Sequence, residues 1–236
     1  MNILVTDTST QALTVALKTE SFFETRTAEG RGIQHSERLM PIVLELCADA
    51  GISTKDIDLL GCTRGPGSFT GLRIGMAAFK GMAYALDKPL VSVSTLETIA
   101  RCVPYYEGAI VSVIDAKKQR WYLGAFESTA DGFKRIMPDT DGTEADLVEV
   151  LKGYDKVLVT GPDAKAFAEP LKALFSDKTI VVDTISYKAI STALLSEVQK
   201  KYEMDGADDI GQGPVYLRKS DAEVALEERL KEKANG

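Results

Sequence analysis

Two aspartates and one glycine-rich run are the residues whose type and spacing could do chemistry. Asp7 ends the apolar segment "NILVTD" and is followed by Thr8 and Ser9, while Asp115 ends "IVSVID" and precedes a short polar turn. A carboxylate at a strand end beside hydroxyl groups can hold Mg²⁺ or face a phosphate, and Asp equally caps tight turns. The run "RGPGSFTGLRIG" sets Gly65, Gly67 and Gly71 ahead of an apolar helix, where backbone amides could point at an anion. It meets neither phosphate template. The P-loop pattern requires Lys and a hydroxyl where Leu72 and Arg73 stand, and G-x-G-x-x-G finds Thr70 at its last glycine, with Gly71 one residue late. The same glycines suit a close approach of chain and helix.

The rest of the catalytic inventory is short. His35 is the one histidine, which excludes H-E-x-x-H and any two-histidine metal site. Gly67 directly precedes Ser68, so G-x-S-x-G does not occur. Cys47, Cys62 and Cys102 are odd in number and far apart, the pattern of a reduced protein rather than a disulfide framework. No catalytic residue and no metal set is expected, and Asp7, Thr8, Ser9, Gly65, Gly67, Gly71 and Asp115 stand as phosphate or turn positions.

The elements that must position these residues follow from periodicity. "NILVT" and "ALTVALK" alternate and read as a hairpin, with "FFETRTA" as a third strand. "HSERLMPIVLELCADAG" places Leu39, Ile42, Val43 and Leu46 at helical spacing and stops at Gly51, with Pro41 expected in the first turn. "DIDLLGCTRG" is a short strand, "GLRIGMAAFKGMAYALDK" a helix ended before Pro89, and "PLVSVST" a strand. "CVPYYEG" breaks the pattern. Beyond it, "AIVSVIDAKKQRWYLGAFE" repeats the opening order of strand, Asp, turn, strand, followed by "DKVLVTGPDAKAFAEPL" as strand and helix, "TIVVDT" as strand and "YKAISTALLSEVQKKYE" as helix. The expected fold is α/β with two duplicated lobes of the actin/sugar-kinase plan, each a mixed sheet flanked by helices. Residues 1–102 make the first lobe, with a terminal helix at 220–233 packed on it, and 103–219 the second.

The helix after the glycine run shows Ile74, Met76, Ala77, Ala78, Phe79, Met82, Ala83 and Leu86, with hardly a polar face. Such a helix is covered by the second lobe or by another protein. The net charge of −7 over 236 residues argues against a stand-alone nucleic-acid binder. The amino terminus lacks a signal-peptide pattern and no stretch is apolar enough to span a membrane, so a cytoplasmic protein is expected.

"ILVTDTST", "IQHSERLMPIVLELCADAG", "GPGSFTGLRIGMAAFKGMAYAL", "VSVSTLETIA", "VIDAKKQRWYLGAF" and the late "PVYLR" together resemble the bacterial TsaB (YeaZ) family, over residues 1 to about 125 with a weaker echo near the end. "GPGSFTGLRIG" beside H-S-E-x-L-x-P is the specific combination. The resemblance implies a non-catalytic subunit in the formation of N6-threonylcarbamoyladenosine next to the tRNA anticodon. It implies TsaD, the transferase, as heterodimer partner, TsaE as a further partner, and a homodimer when the chain is alone. tRNA would be met only through the complex, and no membrane. No cofactor of its own is implied, with ATP at the assembled complex. In TsaD relatives the strand equivalent to "LVSVSTLETIA" carries a metal-binding H-L-E-G-H pair, whose histidines fall on Thr95 and Ile99 here, neither able to ligate as imidazole does. The family's partner surface falls on the two helices, giving Leu39, Ile42, Val43, Leu46, Ile74, Ala78 and Met82 as partner-binding residues. The alternative from the same fold is a small ATPase or kinase using Asp7 and Asp115.

Overall fold

The continuous apolar run Ile3-Leu4-Val5 opens β1 (Ile3–Asp7), and all five of its side chains are buried because strands flank it on both edges and helices lie on both faces. The computed structural model describes residues 1–29, 34–129 and 132–219. β1 pairs antiparallel with β2 (Leu13–Lys18), which pairs antiparallel with β3 (Phe23–Ala28). On its other edge β1 runs parallel to β4 (Leu59–Thr63), and β4 parallel to β5 (Leu90–Val93). Between β3 and β4 lies α1 (His35–Asp49), and between β4 and β5 lies α2 (Phe69–Leu86), then α3 (Thr95–Arg101) follows β5.

The second half repeats this plan. β6 (Ala109–Lys117) pairs antiparallel with β7 (Arg120–Thr129), β7 with β8 (Gly132–Gly142), and β6 runs parallel to β9 (Lys156–Thr160), itself parallel to β10 (Thr179–Asp183). The orders β3-β2-β1-β4-β5 and β8-β7-β6-β9-β10 are the same topology, so the duplicated-lobe expectation holds. The remaining helices are α4 (Val148–Leu151), α5 (Ala164–Leu174) and α6 (Ile190–Asp205).

Helices are exchanged between the halves. α1 and α2 cover one face of the first sheet through Leu39, Ile42, Val43, Met76 and Phe79, but its other face is closed by α6, whose Leu194, Leu195 and Val198 pack on Ile3, Val5, Ala16, Leu59, Val91 and Val93. α3 does the reverse: Leu96, Ile99 and Ala100 pack on Ile110, Ile114, Tyr122 and Phe126 of the second sheet. The other face of that sheet meets Leu147, Leu151, Phe167 and Leu171. So within the expected 103–219 span, Leu194, Leu195 and Val198 of α6 pack on the first sheet while Ile190 packs with the second, and α3 of the 1–102 span packs on the second. The helix expected at 220–233 lies outside the described residues.

Three local differences have clear causes. Pro41 sits in the second turn of α1 rather than the first, on its exposed side, where the carbonyl one turn back is open to solvent. β8 arises from "GFKRIMPDTDG", which barely alternates, and its pairing with β7 shifts register around Ala125. α3 was hidden in an apparent strand tail, although Ser94-x-x-Glu97 is an N-cap pattern, and Ser94 Oγ accepts the Glu97 N–H at 3.2 Å.

Candidate functional site

The two sheets face each other across a cleft of about 1140 Å³, lined by Ser9, Thr10, His35, Ser68, Asp115 and Lys117 among others. Its first wall is the turn after β1. There α2 packs directly on the chain: the Ser68 N–H donates to the Ser9 carbonyl at 2.7 Å, and Ser68 Oγ accepts the Gly71 N–H at 3.2 Å. A Cβ on Gly71 would collide with the Thr8 carbonyl oxygen, and one on Gly75 with Thr8 Oγ1. The Thr8 backbone is therefore covered by the first turns of the helix, while Ser9 still borders the cleft. Gly65 (φ +109°) and Gly67 are buried in the same junction, Gly65 against the Val215 carbonyl and Gly67 against Ser9.

Asp7 is buried beneath this turn. Its Oδ1 accepts hydrogen bonds from Thr63 Oγ1 at 2.6 Å and from the Ser9 N–H at 3.1 Å. Burial pushes the Asp7 carboxyl above the usual range, against the pull of those bonds. Thr8 and Ser9 are buried too, and Ser9 Oγ has no hydrogen-bond partner among the described residues. Across the cleft, Asp115 is clasped by Lys117, whose N–H and Nζ donate to its two oxygens at 2.7 and 2.6 Å. Burial pushes the Asp115 carboxyl up, but Lys117 outweighs it and holds the group below the usual range. The two aspartates thus sit in different chemical settings. The His35 Nε2–H donates to the Thr10 carbonyl at 3.1 Å, a turn-closing contact. Thr95 and Ile99 lie on α3 rather than on a strand, both fully buried, with Ile99 in the apolar contact to the second sheet. Burial raises the Cys62 and Cys102 thiols to about 12, far from a nucleophile's range. Among the described residues no three His, Cys, Asp or Glu side chains group as metal ligands.

The two helices flagged as a partner surface divide sharply. Leu39, Ile42, Val43 and Leu46 are buried in the chain's own core beneath α1, so they cannot touch a partner in this fold. Their spacing marks the inner stripe of an amphipathic helix, and the outward residues lie between and beyond them: Pro41, Leu44, Glu45, Ala48 and Asp49. On α2, Ile74, Ala78 and Met82 are partly buried against the same core, and Ala77, Gly81, Tyr84 and Ala85 are exposed. Leu44 is 56% and Tyr84 85% exposed, large apolar bodies in water on adjacent helices.

A strap after α6 borders this face. Asp208 Oδ2 accepts the Ser92 N–H at 2.7 Å, the Val215 N–H donates to the Arg64 carbonyl at 2.7 Å, and Lys80 Nζ donates to the Ile210 carbonyl at 2.6 Å. The Tyr216 ring stacks on Phe69 at 4.0 Å, and its hydroxyl accepts from Arg73 Nε at 2.8 Å. The sequence reads "GPVYLRK" as extended, but no periodicity marks the tertiary contacts that hold the strap.

A family model described as "TsaD: tRNA N6-adenosine threonylcarbamoyltransferase" matches residues 29–230. The "tRNA threonylcarbamoyladenosine biosynthesis protein TsaB" of Bacillus subtilis (strain 168) is 31% identical over 225 residues, covering 95% of this chain and 97% of the relative. The chain belongs to the TsaB family. The structure of YeaZ from Pseudomonas aeruginosa superposes with a TM-score of 0.72 at 25% identity, over 92% of this chain and 99% of that one. An inorganic polyphosphate/ATP-glucomannokinase from Arthrobacter sp. strain KM shares the fold alone, with a TM-score of 0.51 at 10% identity over 85% of this chain and 99% of that one. TsaB membership and the sugar-kinase likeness agree with the paired topology of the two sheets. Among the described residues of this TsaB-family chain, no helix is long and apolar enough to cross a membrane.

Proposed function

We propose that this TsaB-family chain is a non-catalytic subunit in the biosynthesis of tRNA threonylcarbamoyladenosine, and that it docks on a TsaD-type transferase through the outward faces of α1 and α2. The observation that carries the reading is the packing of α2 onto the turn after Asp7, which covers the Thr8 backbone and leaves the Asp7 carboxylate buried away from the cleft. Thr95 and Ile99, where the TsaD pair would stand, lack imidazoles and support the same conclusion. The exposed Leu44 and Tyr84, with the small Ala77 and Gly81 between, suit close packing against a partner's helices. The acidic net charge of −7 fits a chain that meets tRNA only within the complex. The same face serves a homodimer when the chain is alone. TsaE and ATP join at the assembled complex, and the compartment is the cytoplasm.

Reconstitution of tRNA modification with TsaD, TsaE and ATP, with and without this chain, tests the reading. Modification should require the chain, and full activity in its absence defeats the proposal. A nucleotide-binding role remains the second reading because Asp115 and Lys117 line the open wall of the cleft. Calorimetry of the isolated chain with Mg-ATP should give no binding heat, and saturable heat abolished by Asp115→Ala would favour that second reading.

A further inference from the structure

Behind α3, on the side away from the cleft, a chain of charged groups crosses the contact where the halves meet. α3 lies on the second sheet and α6 on the first, so anything joining the two helices joins the lobes. Glu197 of α6 accepts a 2.6 Å hydrogen bond from Thr98 Oγ1 of α3 and pairs with Arg101 Nε. Arg101 Nη2 lies 2.8 Å from Glu97 Oε1, and Arg135 of β8 reaches Glu97 Oε2 at 2.7 Å and pairs with Asp139. Ser94 Oγ donates to Asp139 at 2.6 Å. The two guanidinium groups are held over aromatic rings, Arg101 over Phe133 at 4.4 Å and Arg135 over Phe126 at 4.6 Å.

Three carboxylates here share two guanidinium groups, so one carboxylate lacks a counter-charge. Glu197 is the least exposed of the three, its side chain 11% accessible against 16% for Asp139 and 27% for Glu97. Desolvation therefore falls hardest on it. The sheet beneath α6 presents apolar side chains, Ile3, Val5, Leu59 and Val91 among them. Of the other charges lining the adjoining cavity of about 870 Å³, Lys201 is engaged by Asp208 at 2.6 Å, and Arg64, Lys200 and Asp205 stand around its walls. The cavity gives water, and hence protons, a route to the junction.

We propose that closing α3 onto α6 takes up a proton at Glu197, so that the lobes are held together most firmly below neutral pH and loosen as Glu197 ionises. Burial pushes the Glu197 carboxyl up to about 7, with Glu97 adding repulsion and Thr98 and Arg101 opposing. Were the junction open and wet, the group would return to its ordinary value of 4.5. Between those values the closed form binds more protons than the open one, so closure weakens as pH rises through the window. Glu97, also pushed up by burial, is held below its ordinary value by Arg101 and Arg135 and stays charged there. The Cys102 thiol, raised to about 12, does not titrate in it.

The test is an NMR titration of the Glu197 side-chain carboxyl in the intact chain, paired with amide-exchange protection factors for α3 and α6 from pH 5.5 to 8.5. The carboxyl should titrate near neutrality, and protection at the α3–α6 contact should fall roughly tenfold or more across the range, since each unit of linked shift is worth about a factor of ten. Glu197→Gln should flatten the pH dependence. Should that variant fail to fold, the wild-type titration still decides. A carboxyl midpoint below 5, pH-independent protection, or an unchanged slope in Glu197→Gln each overturns the proposal.

Discussion

Asp7 shows how far burial can turn a chemically suggestive residue into a structural one. Its Oδ1 takes two hydrogen bonds, from Thr63 and Ser9, that an amide oxygen could accept equally well. Because the folded-state carboxyl is raised, it contributes stability at low pH that is lost as pH climbs through its folded value. Asp7→Asn should therefore keep the fold and be the more stable protein at pH 8, while losing that part of the pH dependence. Urea titrations of both proteins at pH 5 and pH 8 check this; a large loss of stability at pH 8 would mean that the ionised carboxylate is needed. Gly71 is the contrasting residue. Its missing Cβ is what lets α2 lie on the Thr8 carbonyl, a backbone atom that cannot swing aside. Gly71→Ala should cost about 3 kcal/mol, at the upper end of overpacking effects, although alanine is the better helix former. A midpoint in urea equal to wild type would contradict the close-packing account.

At the scale of elements, α1 and α2 each carry an inner stripe and an outer face, and substitutions should separate the two. Tyr84→Asp, on the 85% exposed side chain, should leave thermal stability within about 1 kcal/mol of wild type and abolish co-elution with a TsaD-type partner. Val43→Asp, fully buried, should instead unfold the chain by placing an unpaired charge in its core. Co-elution that survives Tyr84→Asp would move the docking face elsewhere. The difference marks what the sequence could and could not supply. Strand alternation in "NILVTD" and "IVSVID" and the helical spacing of Leu39, Ile42, Val43 and Leu46 made the elements and the repeated topology legible. The same spacing was misread as the partner stripe, because periodicity says which residues share a face and not whether the sheet or a partner covers it. β8 escaped because its "KRIMPD" segment lacks alternation. The strap at 206–217 was legible only as the extended "GPVYLRK", because its anchors at Asp208 and Tyr216 are tertiary contacts with no local signature.

For the whole molecule, the exchanged helices mean that neither half holds a complete core. A fragment of residues 1–102 would present Ile3, Val5, Leu59, Val91 and Val93 to water on one sheet face, where Leu194, Leu195 and Val198 lie in the intact chain. It should fail to fold alone, by far-UV circular dichroism and exclusion chromatography, and should gain structure when residues 103–219 are co-expressed. A cooperative, monomeric 1–102 fragment would contradict this. The ion chain through Glu197 is then a polar seam laid between two hydrophobic contacts, and its charge adjusts a junction to which both contribute.

Synthesis on the ribosome meets the same exchange in order of time. β1 emerges first, yet the side chains that shield Ile3 and Val5 belong to a helix that ends at Asp205, close to the end of the described chain. For most of translation the nascent protein carries a bare apolar sheet face, the condition in which chains associate wrongly or are held by chaperones. A premature stop anywhere before α6 would yield an aggregating polypeptide rather than a smaller working one. The last helix of the described chain is what makes the first strand soluble.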